Sequence, residues 1–183
     1  MQNVNSTKAK LLGYKSAVYG VALFFLAILQ STFFSKINLF GATPDLLLGA
    51  VLTVAIFDEH KVSAVTGIIS GFFYCALGGI KYPLYIIFSF LCGYVFWSIS
   101  EKALSKNYPS FIALAAFIYG VKAIWNIAET SLFAQSFSLF GTLASIVIPE
   151  YLSSMVFCSL SYLIFKTISD IFNKKSRKER IRQ

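Results

Sequence analysis

Charged residues are scarce in this chain: they make up 13% of its 183 residues, against about a quarter of a typical soluble domain. Hydrophobic residues make up 57%. So few charges would not cover a water-facing surface, whereas an apolar surface is what contact with lipid requires. The composition therefore predicts an integral membrane protein.

Groups that carry catalysis or bind metals are scarce as well. His60 is the only histidine, and it lies in a charged turn where a solvated side chain is expected. The cysteines Cys75, Cys92 and Cys158 fall within apolar runs without a C-x-x-C pair, so neither a disulfide framework nor a zinc site is predicted. The sequence also has no glycine-rich phosphate loop and no Ser-His-Asp set. We therefore predict a protein that is not an enzyme and has no cofactor or metal.

The apolar residues form six runs, at 16–34, 44–57, 62–77, 84–99, 110–133 and 142–165. A helix that crosses a bilayer needs about 20 residues, so the second and third runs are short. They would form either a re-entrant hairpin or two short spans. The hairpin would hold the turn from Asp58 to Lys61 near mid-membrane, where each charge costs about 2.5–3.5 kcal/mol. The prediction is therefore an all-α polytopic membrane protein with six transmembrane helices in one bundle.

The distribution of cations predicts the orientation of the bundle. With the N-terminus in the cytoplasm, only Lys36 and Lys81 of the 16 Lys and Arg residues lie in outer loops, and only Lys122 lies within a run. Positive residues favour the cytoplasmic side of a membrane. We predict a short basic cytoplasmic N-terminus (1–15), a six-span bundle (16–172) and a basic cytoplasmic tail (173–183).

The formal net charge of +8 is thus a topological feature, and nucleic-acid binding is not predicted. The basic tail serves first as a positive-inside anchor. Two further roles stay open. One is contact with anionic lipid head groups, at about 1 kcal/mol per cation near the surface. The other is docking to an acidic cytoplasmic protein.

The third run carries small side chains at four-residue spacing, namely Ser63, Gly67, Gly71 and Cys75. Residues four apart lie on one face of a helix, so this face is a groove that another backbone can approach closely. The groove accepts either a neighbouring helix of the same chain or a partner's span, and the first is favoured.

The fifth run contains polar residues on one face, at Lys122, Asn126 and Glu129. Lys122 lies roughly 18 Å from the inner end of its run, and Glu150 roughly 12 Å from the outer end of the sixth run, in a core of about 30 Å. The two residues are therefore expected at one level, facing each other. Pro149, next to Glu150, is expected to kink the sixth helix.

Ionisable residues inside a membrane usually have a function, and three interpretations of this level are open. The polar residues could bind a zwitterionic solute, accept a partner's helix, or form a structural ion pair that fixes helix register. At the start of the second run, Pro44 suits a first helical turn and Asp45 suits the positive end of the helix dipole.

Several short motifs resemble the rod shape-determining protein MreD family. They are Q-S-T-F-F at 30–34, L-F-G at 39–41, P-D-L-L-L at 44–48, G-F-F at 71–73, L-Y at 84–85 and I-P-E-Y-L at 148–152. The similarity extends from Gln30 to Phe165, and the stretch from Gln30 to Leu48 is its most specific part. This chain differs from the family at Cys75, where an acid is frequent, and at Pro83, where glycine is frequent.

The resemblance implies a non-enzymatic scaffold of the bacterial cell-elongation machinery, which synthesises peptidoglycan, in the cytoplasmic membrane. The implied partners are the bitopic protein MreC, the glycan polymerase RodA with its transpeptidase, and the actin-like MreB filament. The alternative is a substrate-binding S component of an energy-coupling-factor vitamin transporter, which is also a basic six-span bundle of about this size. In that case, the Lys122 and Glu150 level would be the substrate pocket.

Overall fold

The computed structural model describes residues 2–37, 43–78, 84–103, 107–133, 141, 143 and 147–181. All regular structure within these residues is helical, as predicted. The helices are α1 (Gln2–Ile28), α2 (Ser35–Ile37), α3 (Leu46–Phe57), α4 (His60–Gly78), α5 (Leu84–Ala103), α6 (Tyr108–Phe133) and α7 (Ile148–Ile181). A π-helical segment, Leu29–Phe34, joins α1 to α2.

Four helical stretches are long and apolar enough to cross a membrane: Gly13–Phe34, Leu84–Glu101, Tyr108–Ala128 and Ile148–Lys174. Large apolar side chains on their outer faces, such as those of Phe25, Ile124 and Val156, are exposed. Lipid is the solvent that such a surface fits. The predicted spans at 44–57 and 62–77 correspond to α3, which is apolar but has only 12 residues, and to α4, which starts with a charged turn.

The core of the bundle is formed around α3. Every residue from Leu46 to Ile56 is buried, as expected for a helix that is apolar on all sides. One side of α3 packs in a cluster with Phe96 and Phe111, and the other side packs with Leu23 and Phe165. Other helices therefore surround α3, and its surface contacts almost no lipid.

α3 runs antiparallel to α1 over most of the apolar stretch of α1. The backbone N–H of Leu46, at the start of α3, donates to Gln30 Oε1 at 3.0 Å, and Asp58, at the end of α3, pairs with Lys15. Gln30 and Lys15 lie near opposite ends of the Gly13–Phe34 stretch. The charged turn after α3 is therefore near one end of the bundle and not halfway along it.

The first and last long helices meet at this same end. Lys15 Nζ lies 3.5 Å from Asn173 Oδ1, and the rings of Tyr14 and Phe172 are 5.8 Å apart. Both helices extend beyond the predicted bundle, since α1 begins at Gln2 and α7 continues to Ile181. The described ends of the chain therefore lie on the same side of the bundle.

The row of small residues on α4 packs against α5. A Cβ atom added at Gly67 would lie 2.6 Å from the carbonyl oxygen of Ser89, and one at Gly71 would lie 2.7 Å from Ile86 Cα. Ser63 Oγ donates to the carbonyl oxygen of Gly93 at 2.7 Å. Cys75, at the end of the row, is partly buried against the core. A helix of the same chain therefore fills the predicted groove.

Pro44 and Pro149 lie close to the starts of α3 and α7. Asp45 is the N-cap of α3, because its carboxylate accepts from the N–H of Leu48 at 3.0 Å. Pro44 precedes this cap, so the prediction that it lies in the first helical turn was wrong. Pro149 is the second residue of α7. The kink predicted there stays a prediction, since residues 144–146 lie outside the described residues.

The close approach of α4 and α5 can be tested at Gly67. We expect Gly67→Ala to lower the stability of the detergent-solubilised protein by about 1–3 kcal/mol, because the methyl group would overlap the backbone at Ser89. A lower midpoint of thermal unfolding would show this. Gly120→Ala is the matched control, because nothing lies within 4 Å of a Cβ added there. If both variants unfolded at the same temperature, the packing described here would be wrong.

Candidate functional site

A buried ionic cluster lies at the N-terminal end of α3. Lys122 Nζ, from α6, is 2.5 Å from Asp45 Oδ2 and 2.6 Å from Glu150 Oε1, which belongs to the first turn of α7. The exposed fractions of these side chains are 3% for Lys122, 0% for Asp45 and 13% for Glu150. The structure brings together the two residues that the depth argument paired, and it adds Asp45 as a second carboxylate.

Asp45, which caps the start of α3, is bound by side chains from three other helices. The Tyr85 hydroxyl donates to Asp45 Oδ2, and the Tyr119 hydroxyl donates to the Asp45 carbonyl oxygen at 2.6 Å. The backbone N–H of Asp45 donates to Ser154 Oγ at 2.8 Å. Together with Lys122, these groups come from α5, α6 and α7, and the Tyr85 ring is stacked against Tyr74 of α4. The position of the carboxylate is therefore fixed from every side.

Glu150 is bound through both of its carboxylate oxygens. Lys122 reaches Oε1, and Asn126 Nδ2 donates to Oε2 at 2.8 Å. Asn126 is therefore brought into the cluster, in agreement with its place on the same face of α6 as Lys122. Glu129 lies in α6, but its side chain lies outside the described residues.

Two stacked tyrosines form the wall of the cluster on the side of α4 and α5. The rings of Tyr74 and Tyr85 are 4.0 Å apart, and Lys122 Nζ lies 5.0 and 5.2 Å from their centroids. A cation near an aromatic face is attracted to it, and the attraction is stronger where water is excluded. The ammonium group of Lys122 is therefore surrounded by two carboxylates and two ring faces.

The cluster has almost no free volume. A cavity of about 10 Å³ lies beside it, lined by Lys122, Asn126, Glu150, Tyr151 and others. This volume suits about one water molecule. Ligand pockets typically measure about 300–1,000 Å³. Within the described part of the chain, no three His, Cys, Asp or Glu side chains lie close enough to hold a metal ion.

Gln30 completes the polar environment at the start of α3. Its Oε1 accepts from the backbone N–H groups of Leu46 at 3.0 Å and Leu47 at 3.4 Å. These are among the first N–H groups of α3, which have no partner within the helix. Gln30 lies in the π-helical segment, a geometry that often occurs at functional positions. The sequence signal was a glutamine in an apolar run, and its role as a cap depended on the tertiary structure.

A second polar cluster lies at the C-terminal end of α3. Asp58 accepts from Lys15 and from the Tyr19 hydroxyl, and Ser169 Oγ donates to its Oδ1 at 3.1 Å. Sequence analysis assigned Asp58 to a charged turn and did not predict that it would be buried. The only sequence signal was Lys15, which lies just before the first apolar run. Both ends of α3 are thus bound by ion pairs.

The ionic cluster is tested by removing its cation. Lys122→Met leaves Asp45 and Glu150 without a counter-charge, and breaking a buried pair in this way costs about 3–5 kcal/mol. We expect a large loss of monodisperse protein and a lower thermal midpoint in detergent. The double variant Lys122→Met with Asp45→Asn should recover part of this stability, because it removes the more deeply buried of the two carboxylates that are left without a counter-charge.

Lys166→Met is the control for that experiment. Lys166 is half-buried and lies near the rings of Phe57 and Tyr162, but it forms no ion pair among the described residues. We expect its yield and midpoint to stay close to those of the unmodified protein. If Lys122→Met were equally harmless, the three charged groups would not form the cluster seen here.

The cap provided by Gln30 is tested by Gln30→Leu. This variant deprives two buried N–H groups of their acceptor, which costs about 1–3 kcal/mol, and it should lower the thermal midpoint. Ser31→Ala is the neighbouring control, because the Ser31 hydroxyl bonds only to its own helix, at Ile28, among the described residues. Equal midpoints for the two variants would argue against the cap.

Three comparisons with known proteins found no match to a family model, a curated protein or a solved structure. The resemblance to the MreD family therefore depends on the short motifs quoted above. Membership of that family stays a prediction.

Proposed function

We propose that this protein is a non-enzymatic scaffold of the bacterial cell-elongation machinery in the cytoplasmic membrane. The observation that carries this proposal is that the charged groups of the buried ionic cluster are paired with one another. Lys122, Asp45 and Glu150 all have partners within the chain, and the adjacent cavity of about 10 Å³ suits a water molecule. A cluster of this kind fixes the register of the helices. The contacts that matter for function are then made by the outer surfaces of the bundle.

The same observation disfavours the vitamin-transporter alternative. A transporter's pocket has to leave polar groups free for its solute, and small-molecule pockets are typically about 300–1,000 Å³. The level that would serve as the pocket is instead filled by Lys122, the two carboxylates and the stacked rings of Tyr74 and Tyr85. Of the three interpretations of this level, the structural ion pair is the one the geometry supports best.

The membrane topology is part of the proposal. We infer six crossings, with α3 and α4 as two short spans and both termini in the cytoplasm. Asp58 pairs with Lys15, and Lys15 Nζ also lies 3.5 Å from Asn173 Oδ1, near one end of the apolar stretches of α1 and α7. This position favours two short spans over a re-entrant hairpin. A short span needs local thinning of the bilayer, which costs only fractions of a kcal/mol per Å of mismatch. The surrounding helices separate α3 from lipid, which reduces that cost further.

The resemblance to the MreD family involves the same residues that hold the buried helix. Gln30 belongs to the Q-S-T motif, Asp45 to the P-D-L-L motif and Glu150 to the I-P-E motif, and all three surround the start of α3. A shared sequence pattern at a structural centre supports a shared fold. The proposed partners are therefore those of that family: an MreC-like bitopic protein, a RodA-like polymerase with its transpeptidase, and the actin-like filament.

A pull-down from native bacterial membranes tests the proposal. The tagged chain is extracted in mild detergent and its bound proteins and small molecules are identified by mass spectrometry. We expect elongation proteins, including a single-span partner, and no stoichiometric vitamin. Two variants are tested in parallel with the unmodified chain: Glu150→Ala, and Lys122→Met combined with Asp45→Asn. Only the folded fraction of each variant is used.

The variants distinguish a scaffold from a transporter. If the cluster is structural, the folded fraction of each variant should retain the elongation partners, because those partners bind elsewhere. A vitamin that copurifies with the unmodified chain and is lost from both variants would support the transporter and contradict the scaffold. The absence of elongation proteins from every sample would also refute the proposal.

A further inference from the structure

A larger cavity lies beside the start of α3. Its volume is about 290 Å³, and it lies between the π-helical segment, the start of α3 and the end of α4. One wall is polar, with Gln30, Ser31, Ser35 and Thr43. The other is apolar and is formed by Ala27, Leu47, Phe73, Tyr74 and Leu77. This volume is far larger than that of the cavity of about 10 Å³ beside Lys122.

The polar wall offers a hydrogen-bond donor that no described residue uses. Gln30 is only 9% exposed, and its Oε1 accepts from the N–H groups of Leu46 and Leu47. An amide also has two N–H donors on its nitrogen, and Gln30 Nε2 donates to none of the described residues. Because the oxygen is held at α3 and the side chain lines the cavity, the nitrogen is left for an occupant that accepts hydrogen bonds.

The two serine hydroxyl groups of the same wall are already used as donors. Ser31 Oγ donates to the Ile28 carbonyl, and Ser35 Oγ donates to the Ser31 carbonyl, within their own helical segment. The described lining contains no charged side chain. The chemistry of this cavity fits a neutral acceptor that is attached to an apolar body.

The level of the cavity within the bundle indicates which kind of hydrogen-bond acceptor is available to occupy it. Its polar residues lie at the last turns of the apolar stretch Gly13–Phe34, and its apolar wall includes Leu77, near the end of α4. From the end of this apolar stretch we infer that the cavity faces the outer part of the hydrocarbon core, next to the interface. The groups that membrane lipids place at that level are ester carbonyls, which accept hydrogen bonds and donate none.

We propose that this cavity binds the glycerol-ester region of a diacyl phospholipid. A lipid ester carbonyl accepts from Gln30 Nε2, and the start of an acyl chain lies against Phe73 and Leu77. The phosphate head group stays outside the cavity, so head-group charge is not selected. The bound lipid would act as a structural part of the outer end of the bundle, and this inference does not depend on the scaffold proposal.

The ester carbonyl is tested directly by comparing two lipids. The full-length protein is placed in nanodiscs of dioleoyl phosphatidylethanolamine or of its dialkyl ether analogue, which lacks both carbonyl groups, and the bound lipid is counted by native mass spectrometry after transfer to detergent. One hydrogen bond of ordinary strength corresponds to a preference of roughly fivefold for the ester lipid. Equal retention of the two lipids would overturn the proposal.

A pair of matched variants locates the binding site. Leu77→Trp places a larger side chain at the cavity, whereas Leu160→Trp makes the same change on α7 outside its lining, at a residue of similar exposure (41% and 39%). We expect the first to reduce retention of the ester lipid severalfold and the second to leave it unchanged, with similar thermal midpoints for both. Equal retention in the two variants would contradict the proposal. A crosslinker placed at position 77 gives a further check. If it captured a peptide of another protein and not lipid, the proposal would also be contradicted.

Discussion

A helix that is buried on all sides within a membrane bundle must satisfy its polar ends without the help of water. α3 is such a helix, since Leu46 to Ile56 are all buried. The first N–H groups of any helix lack internal partners, and in a medium without water each unsatisfied group costs several kcal/mol. Gln30, Asp45 and Ser154 supply partners at the start of α3, and Ser100 Oγ donates to the carbonyl oxygen of Ala55 near its end. Much of the bundle is organised around this requirement.

The ion pairs at the two ends of α3 follow from the same constraint. Asp45 caps the helix, so a carboxylate is buried, and a buried carboxylate requires a cation. Lys122 supplies that cation and also binds Glu150, which joins α6 and α7 to α3. At the other end, Asp58 is matched by Lys15. A buried ion pair adds little net stability compared with apolar packing, but losing one partner is costly. These ion pairs therefore contribute more to selecting one arrangement of the helices than to the free energy of folding.

With the interior of the bundle occupied in this way, the surfaces remain for binding. The long helices present apolar side chains to lipid, and the cavity near Gln30 lies at the edge of the apolar stretch of α1. The groove on α4 is not one of these surfaces, because α5 fills it at Gly67 and Gly71. In the proposed scaffold role, partners would be recognised through helix faces in the membrane and through the basic residues near the ends of the chain.

The sequence by itself determined the helical class, the apolar runs and the shared level of Lys122 and Glu150, because hydropathy and helical rise depend only on residue order. It also indicated the small-residue face of α4, although not whether a helix of the same chain or of a partner would fill it. Only the tertiary structure decided that Asp45 would join Lys122, that Gln30 would cap α3, and that Asp58 would be buried against Lys15. These contacts join residues that are far apart in the chain, so no local periodicity encodes them. They depend on which helices surround α3, and packing in three dimensions sets that arrangement.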